Sequence, residues 1–296
     1  MDIHEAGTAR EAAVAGHPRV GVVVPAHDEG RGIAATLGAL RAGVPPGLLD
    51  VVVVCNGCTD DTAARAAQAY PEARVIELAT PSKAAAVRAG NAACDVFPRV
   101  HLDADVRLTG ADLLLLVAPL LDGDVLATAP RRVLRHDGTP ALVRWYYDVW
   151  EQLPQVRSGL FGRGAFALSA AGQARVDALP ELMSDDLVVS DAFADAERRV
   201  VEDSVVEVRT PGSVADLVRR RTRVATGVTQ ASAAGARRAD SATTPATLLA
   251  LAVRHPWLAP RLPVFLGVTL LARRSSRRAV RAGDYTTWLR DESSRA

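Results

Sequence analysis

Asp103-Ala104-Asp105 sets two carboxylates one residue apart, directly after a short strand-like run at 99–102. At the end of a strand such a pair can hold a hard divalent cation, and the cation in turn neutralises phosphate charge. The pattern is also common in solvated acidic loops, so its chemistry depends on what surrounds it. Lys83 is the only lysine in a chain whose other 34 basic residues are arginine. Its compact ammonium binds phosphate as a point charge, which a guanidinium does not reproduce. Cys55 and Cys58 have the spacing of a dithiol redox pair, but they close an apolar, strand-like run. A zinc site needs about four ligands, and Cys94 with the scattered histidines offers no second paired spacing.

These residues need a frame. The β-branched run at 20–24 predicts a strand stopped by Pro25, followed by a helix over 30–42 carrying Ile33, Leu37 and Leu40 on one side. A second strand at 50–55 ends at Asn56-Gly57, and Thr59 or Asp60 can cap a helix over 61–70. Strands at 74–78 and 99–102 flank a helix over 82–93. Strand–helix alternation with short connections predicts a doubly wound α/β sheet, which binds ligands at the carboxyl ends of its strands. The loops at 25–30, 55–60 and 103–106 are therefore the ones to watch.

The second half reads as a helix with Trp145, Tyr146, Tyr147 and Trp150, whose spacing favours core packing over sugar stacking. Gly159, Gly162 and Gly164 mark turns or close backbone approach. An acidic loop at 184–186, whose Asp185-Asp186 could also cap a helix, a strand over 200–208 and a helix over 213–234 follow. A linker at 235–245 then precedes apolar stretches at 247–253 and 262–272.

At 296 residues, 49% hydrophobic and 23% charged, the composition excludes disordered, collagenous and disulfide-scaffold classes. A net charge of +1 gives no overall pull towards nucleic acid. Residues 236–296 nevertheless hold 11 arginines and 4 acids, leaving the first 235 residues acidic. Three cysteines fit a reducing, cytoplasmic setting. The polar N-terminus predicts no secretory signal, and 262–272 falls short of the ~20 residues of a spanning helix. Arg273, Arg274, Arg277, Arg278 and Arg281 share one helix face, which could rest on an anionic membrane surface or pack on the body with its charges solvated.

The ordered set V-V-V-P-A-H-D-E at 22–29, C-N-G-C-T-D at 55–60, Lys83, D-A-D at 103–105, S-D-D at 184–186 and R-R-T-R-V at 220–224 resembles the family 2 glycosyltransferases of the GT-A fold over residues 18–230. The resemblance implies an α/β, Rossmann-like domain over 1–235, its central sheet mostly parallel and flanked by helices, with a basic helical appendage at 236–296. It also implies a nucleotide-sugar donor, a hydroxyl acceptor and Mg²⁺ or Mn²⁺, with no nucleic-acid partner.

Pro25, Ala26, His27, Asp28 and Glu29 with Cys55 and Asn56 would then line the donor's nucleobase pocket, and Lys83 would meet the donor. Asp103, with Ala104 beside it, would face the ribose or the metal, and Asp105 would coordinate the metal. Arg220 and Arg223 would clamp the diphosphate, a role suited to rigid charged forks. Asp186, with Asp185 in reserve, would be the general base of an inverting displacement. Cys55 stands where the family has an acid, Cys58 where it has a serine and Val224 where it has a tryptophan, so the base of the donor stays open.

A basic tail beside an apolar stretch is compatible with a peripheral contact at the inner face of a membrane and equally with packing on the body. The competing readings are a catalytically inactive nucleotide-binding or scaffold protein on the same fold, and a sugar-nucleotide pyrophosphorylase. The latter should carry a Gly-rich G-x-G-T-R-type loop, which Pro25–Glu29 does not resemble.

Overall fold

The computed structural model describes residues 19–179, 185–233 and 243–281. Its strands are β1 (Val20–Ala26), β2 (Leu49–Asn56), β3 (Arg74–Leu78), β4 (Arg99–Leu102), β5 (Arg107–Leu108), β6 (Ala127–Arg135), β7 (Ala165–Leu168) and β8 (Arg198–Arg209). They form one sheet in the order β3-β2-β1-β4-β7-β6-β8-β5. The first four are parallel, and β7 runs antiparallel to both β4 and β6.

The chain divides into two compact units. One comprises the chain up to Arg131 with Gly164–Gln173 and Val201–Val206; the other comprises Arg132–Arg163, Ala174–Val200 and the chain from Glu207 on.

In the first unit, Val22–Val24 and Val51–Val54 are at most 1% exposed, as strands covered on both faces require. Each such valine contributes about 1.5–3 kcal/mol by leaving water. Val23, Val52 and Val54 pack with Ala86 and Cys94. The connecting helices are α1 (Ile33–Arg41), α2 (Thr62–Ala69), α3 (Lys83–Ala93) and α4 (Gly110–Leu121). α1 buries Ile33, Thr36, Leu37 and Leu40 at helical spacing.

Two elements differ from the sequence expectation. β1 continues through Pro25 to Ala26, because β1 pairs with β4 only up to Val23 and the missing N–H of Pro25 costs no ladder bond on that side. α1 begins at Ile33 rather than residue 30, because Glu29 O first closes a turn with Gly32 N.

The remaining helices are α5 (Ala141–Trp150), α6 (Pro154–Ser158), α7 (Ala170–Asp177), α8 (Asp185–Asp191), α9 (Val214–Ala233), α10 (Pro245–Arg254), a 3₁₀ turn (Pro256–Arg261) and α11 (Leu262–Arg281). Asp185 and Asp186 therefore open a helix, as the cap alternative to an acidic loop expects. Acids are favourable in a first helical turn, and Asp186 Oδ1 accepts the N–H of Leu187 at 2.8 Å.

The core of the second unit joins Tyr146, Tyr147 and Trp150 of α5 to Leu217 of α9, Leu258, and Phe265 and Val268 of α11. Tyr146 stacks on Phe265 at 5.1 Å. The aromatic run is core, as its spacing predicted, except for Trp145, which is 37% exposed. Ser184, Ala234 and residues 235–242 of the expected linker lie outside the described residues.

Candidate active site

The loops after β1 and β2 are bonded to each other almost residue by residue. Asn56 Nδ2 donates to Ala26 O at 2.7 Å, and Asn56 Oδ1 accepts from Ser82 N at 2.9 Å, so one buried amide joins the ends of β1 and β2 to the start of α3. His27 Nδ1 meets Asn56 O at 2.5 Å. Asp28 sits at φ +49, a left-handed conformation that Asp tolerates better than most residues. Asp28 Oδ1 accepts from Thr59 N at 2.6 Å. Glu29 N donates to Thr62 Oγ1 at 2.8 Å and Gly30 N to Asp60 Oδ2 at 3.0 Å. Burial works against ionisation of Asp60, but bonds from Thr62 and Gly30 outweigh it and hold the carboxyl below its ordinary value.

Cys55 forms part of the buried floor of this loop pair at 1% exposure. Burial, with Cys58 second, pushes its thiol up to about 12. A thiol so reluctant to ionise is a poor redox nucleophile.

Asp103 and Asp105 flank a turn closed by Val106 N to Asp103 O at 3.5 Å. Residues 103–106 alternate outward and inward: Ala104 and Val106 are each 5% exposed, whereas Asp103 is half-buried and Asp105 exposed. Thr36 anchors the turn from beneath, its hydroxyl 2.8 Å from Ala104 O and 3.1 Å from Val106 O. From the side, Asp103 N donates to Gly164 O at 2.7 Å. Lys83, the first residue of α3, places Nζ 3.0 Å from Asp103 Oδ1. The first unit thus brings together Pro25–Glu29, Cys55, Asn56, Lys83 and Asp103–Asp105 at the carboxyl ends of β1, β2 and β4, including the solitary lysine.

Two donor sets could hold a cation. Asp103 and Asp105 present hard carboxylates that fit Mg²⁺ or Mn²⁺ completed by phosphate oxygens and water. His27, Asp28 and Cys58 offer ligand atoms within 4.8 Å of one another, a softer set whose thiolate and imidazole favour zinc-like ions.

In the second unit Asp186 is held from both sides: Oδ1 by Leu187 N, as above, and Oδ2 by Gly162 N at 2.8 Å. The glycine-rich segment that supplies this N–H is itself braced by buried arginines. Arg163 donates to Gly159 O at 3.0 Å and Arg157 O at 2.9 Å, and Arg132 Nη1 donates to Gly162 O at 3.1 Å. Arg132 also lies over Trp150 at 4.3 Å and 3.7 Å from Glu151 Oε1. Burial lowers its guanidinium to about 10, with Glu151 opposing and Arg220 adding like-charge repulsion. Burial likewise raises the Glu151 carboxyl.

Arg220 and Arg223 stand three apart on α9 and so on one side of it. Arg220 Nη1 reaches Arg209 O at 3.4 Å. Arg221 points instead to the rings of Tyr146 and Trp150, at 5.6 Å from each. Of the bracing residues, Asp60 and Gly162 were singled out by sequence and Thr36, Arg132, Glu151 and Arg163 were not; in an arginine-rich chain nothing in residue type marks Arg132 and Arg163 as buried.

The mixed α/β sheet thus carries an Asp-Ala-Asp turn and a lysine at the carboxyl ends of its parallel strands. Residues 21–159 match the family described as glycosyl transferase family 2. No curated protein matches the chain. Among solved structures, a mannosyltransferase from Pyrobaculum calidifontis in complex with GDP-Man and Mn²⁺ superposes with a TM-score of 0.60 at 20% identity, covering 95% of this chain and 83% of that one. Glucosyl-3-phosphoglycerate synthase from Mycobacterium tuberculosis, in complex with Mg²⁺ and UDP, does so at 0.52 and 22% identity, covering 79% and 85%. The same enzyme with Mn²⁺, UDP and glucosyl-3-phosphoglycerate gives 0.51 at 23%, with the same coverage. These likenesses establish the GT-A fold.

Proposed function

We propose that the protein is a metal-dependent, inverting glycosyltransferase that moves a sugar from a nucleoside-diphosphate donor to an acceptor hydroxyl. The observation that carries this reading is the Asp103–Val106 turn, which turns both aspartates outward beside Lys83 and is anchored by Thr36 and Gly164. A rigid anionic pair next to one ammonium suits a diphosphate bound with its cation better than it suits a solvated loop.

Pro25–Glu29, with Cys55 and Asn56 behind them, would receive the nucleobase. Asp103 and Asp105 would hold Mg²⁺ or Mn²⁺, whose positive charge stabilises the departing nucleoside diphosphate. Lys83 would meet the donor's phosphates once it parts from Asp103. Arg220 and Arg223 would clamp the leaving group. Asp186, fixed by Gly162 N and Leu187 N, would take the acceptor's proton as that oxygen attacks the anomeric carbon from the face opposite the diphosphate; Asp185 is the neighbouring acid. The surroundings that fit this chemistry are the cytoplasm at the inner face of a membrane, with a peripheral membrane contact.

Calorimetric titration of UDP, GDP and dTDP, each with Mn²⁺ and again with EDTA, tests the reading. One nucleotide should bind, only with the metal, and thereby identify the base. Absence of binding by all three would favour a scaffold on the same fold.

A further inference from the structure

The C-terminal helix presents surfaces of opposite character. Phe265, Val268, Ala272 and Ser276 of α11 are buried and pack on α5 and α9, with Ser276 Oγ 3.1 Å from Thr226 Oγ1. With a turn every ~3.6 residues, Leu266, Leu270, Arg274, Arg277 and Arg281 fall on the outer side. That side is divided along its length. Leu266, Leu270 and Leu271 are 43%, 63% and 55% exposed in the first half; the second half exposes Arg273, Arg274, Arg277, Arg278 and Arg281.

The preceding segment repeats the pairing. Leu249 and Val253, four apart on α10, are 68% and 72% exposed, and Trp257 is 48% exposed with the Arg261 guanidinium 4.8 Å from its ring. Residues 243–281 contain seven arginines and no aspartate or glutamate.

A nucleic-acid or acidic-protein surface would account for the arginines but not for the bare leucines. An apolar protein partner would account for the leucines but not for a segment without a single acid. An anionic bilayer accounts for both: apolar side chains enter the acyl boundary, arginines meet headgroup phosphates, and tryptophan sits between. None of the described helices is long and apolar enough to cross a membrane, so the contact would lie in the interfacial plane.

We propose that the outer face of α10, the 3₁₀ turn and α11 is a peripheral anchor seated on an anionic lipid surface. The proposal gives the membrane contact of the preceding reading its residues and its lipid. It rests on that reading for its purpose and not for its existence.

Flotation of the full chain with phosphatidylcholine vesicles, with and without phosphatidylglycerol, tests it. The chain should float with the anionic vesicles and be released by high salt. Combined Arg274→Gln, Arg277→Gln and Arg281→Gln should lower partitioning about a hundredfold, at roughly fivefold per arginine. Leu266→Ser with Leu270→Ser should lower it by about tenfold or more. All five side chains are at the surface, so the thermal midpoint and nucleotide binding should stay unchanged in both variants. The proposal is overturned if the intact chain does not float with anionic vesicles, or if the arginine variant floats equally well. It is also overturned if sedimentation shows a dimer dispersed by the leucine variant, which would assign the face to a second copy. Flotation without any nucleotide binding would leave the anchor standing and remove the sugar-transfer reading.

Discussion

The loops at the ends of β1, β2 and β4 and the surroundings of Asp186 are both rigid, but they reach rigidity by different means. In the first, particular side chains carry the bonds: Asn56 joins three backbone segments, and Asp28, Thr59, Asp60 and Thr62 join two loops about thirty residues apart. Replace one of these side chains by another type and the bond is lost, so the arrangement is written as a motif. Around Asp186 the decisive donors are main-chain N–H groups of Gly162 and Leu187, and the brace behind Gly162 is an arginine among 34. Every residue but proline has an N–H, and so a site built on backbone donors leaves little trace in residue type.

The comparison can be broken most forcefully at Asp186. Asp186→Asn keeps the size, loses the base and leaves one of the two backbone N–H groups without its acceptor, so transfer should fall by about 10²–10⁴-fold while metal-dependent nucleotide affinity is unchanged. A variant that lost affinity as well would show that the carboxylate belongs to donor binding. Asp105→Asn is the reciprocal experiment. It should weaken Mn²⁺-dependent nucleotide binding by roughly tenfold to a hundredfold, the size of effect seen when a metal's environment is disturbed, and leave EDTA-treated protein as it was. Equal weakening with and without metal would remove the cation from the Asp-Ala-Asp turn.

Gly164→Ala probes the turn's support without touching a carboxylate. Gly164 lies at φ +67, and an added Cβ would come 2.3 Å from Val106 Cγ1. Left-handed strain and overpacking together should cost about 2–5 kcal/mol of stability, read as a lowered thermal midpoint. Gly123, at φ +78 with nothing within 4 Å, is the control, since its alanine variant carries only the conformational part. Equal losses at both positions would mean that Val106 yields and the turn is less firmly held than its bonds imply.

Much of the first unit was legible in the sequence because its physics is local. The expected strands at 20–24, 50–55, 74–78 and 99–102 lie within a residue or two of the observed limits, and Ser82 caps α3 where its hydroxyl accepts Ala85 N at 3.2 Å. Pro25 misled, since a proline ends a strand only where its N–H is needed. The second unit was harder to read. Tyr146 and Phe265 meet across 119 residues, and no local pattern tells which side of α11 finds α5 and which stays bare. The Asp185–Asp186 pair was recognisable, but its helical setting depends on tertiary support for a seven-residue helix, far below the ~12–15 residues needed for independence.

The smallest effect belongs to a side-chain bond of the second unit, and it sharpens the contrast from the other direction. Arg175 donates to both Glu197 oxygens, at 2.7 and 2.9 Å, and Ala194 N adds a third bond at 2.9 Å. The arginine first and the backbone N–H second hold the Glu197 carboxyl down at about 2, against an ordinary value of 4.5. The folded state therefore favours the ionised form. The resulting stability is fully present above the unfolded value and is lost as pH falls from about 5 towards 2. Because the pair is solvent-exposed, the gain is small and salt-sensitive. Thermal midpoints measured down this range should fall more steeply for the native chain than for Glu197→Gln, and the two curves should converge at the acid end. Parallel curves would mean that water already satisfies Glu197 as well as Arg175 does, leaving the loop after α8 to be held by backbone bonds, as Asp186 is.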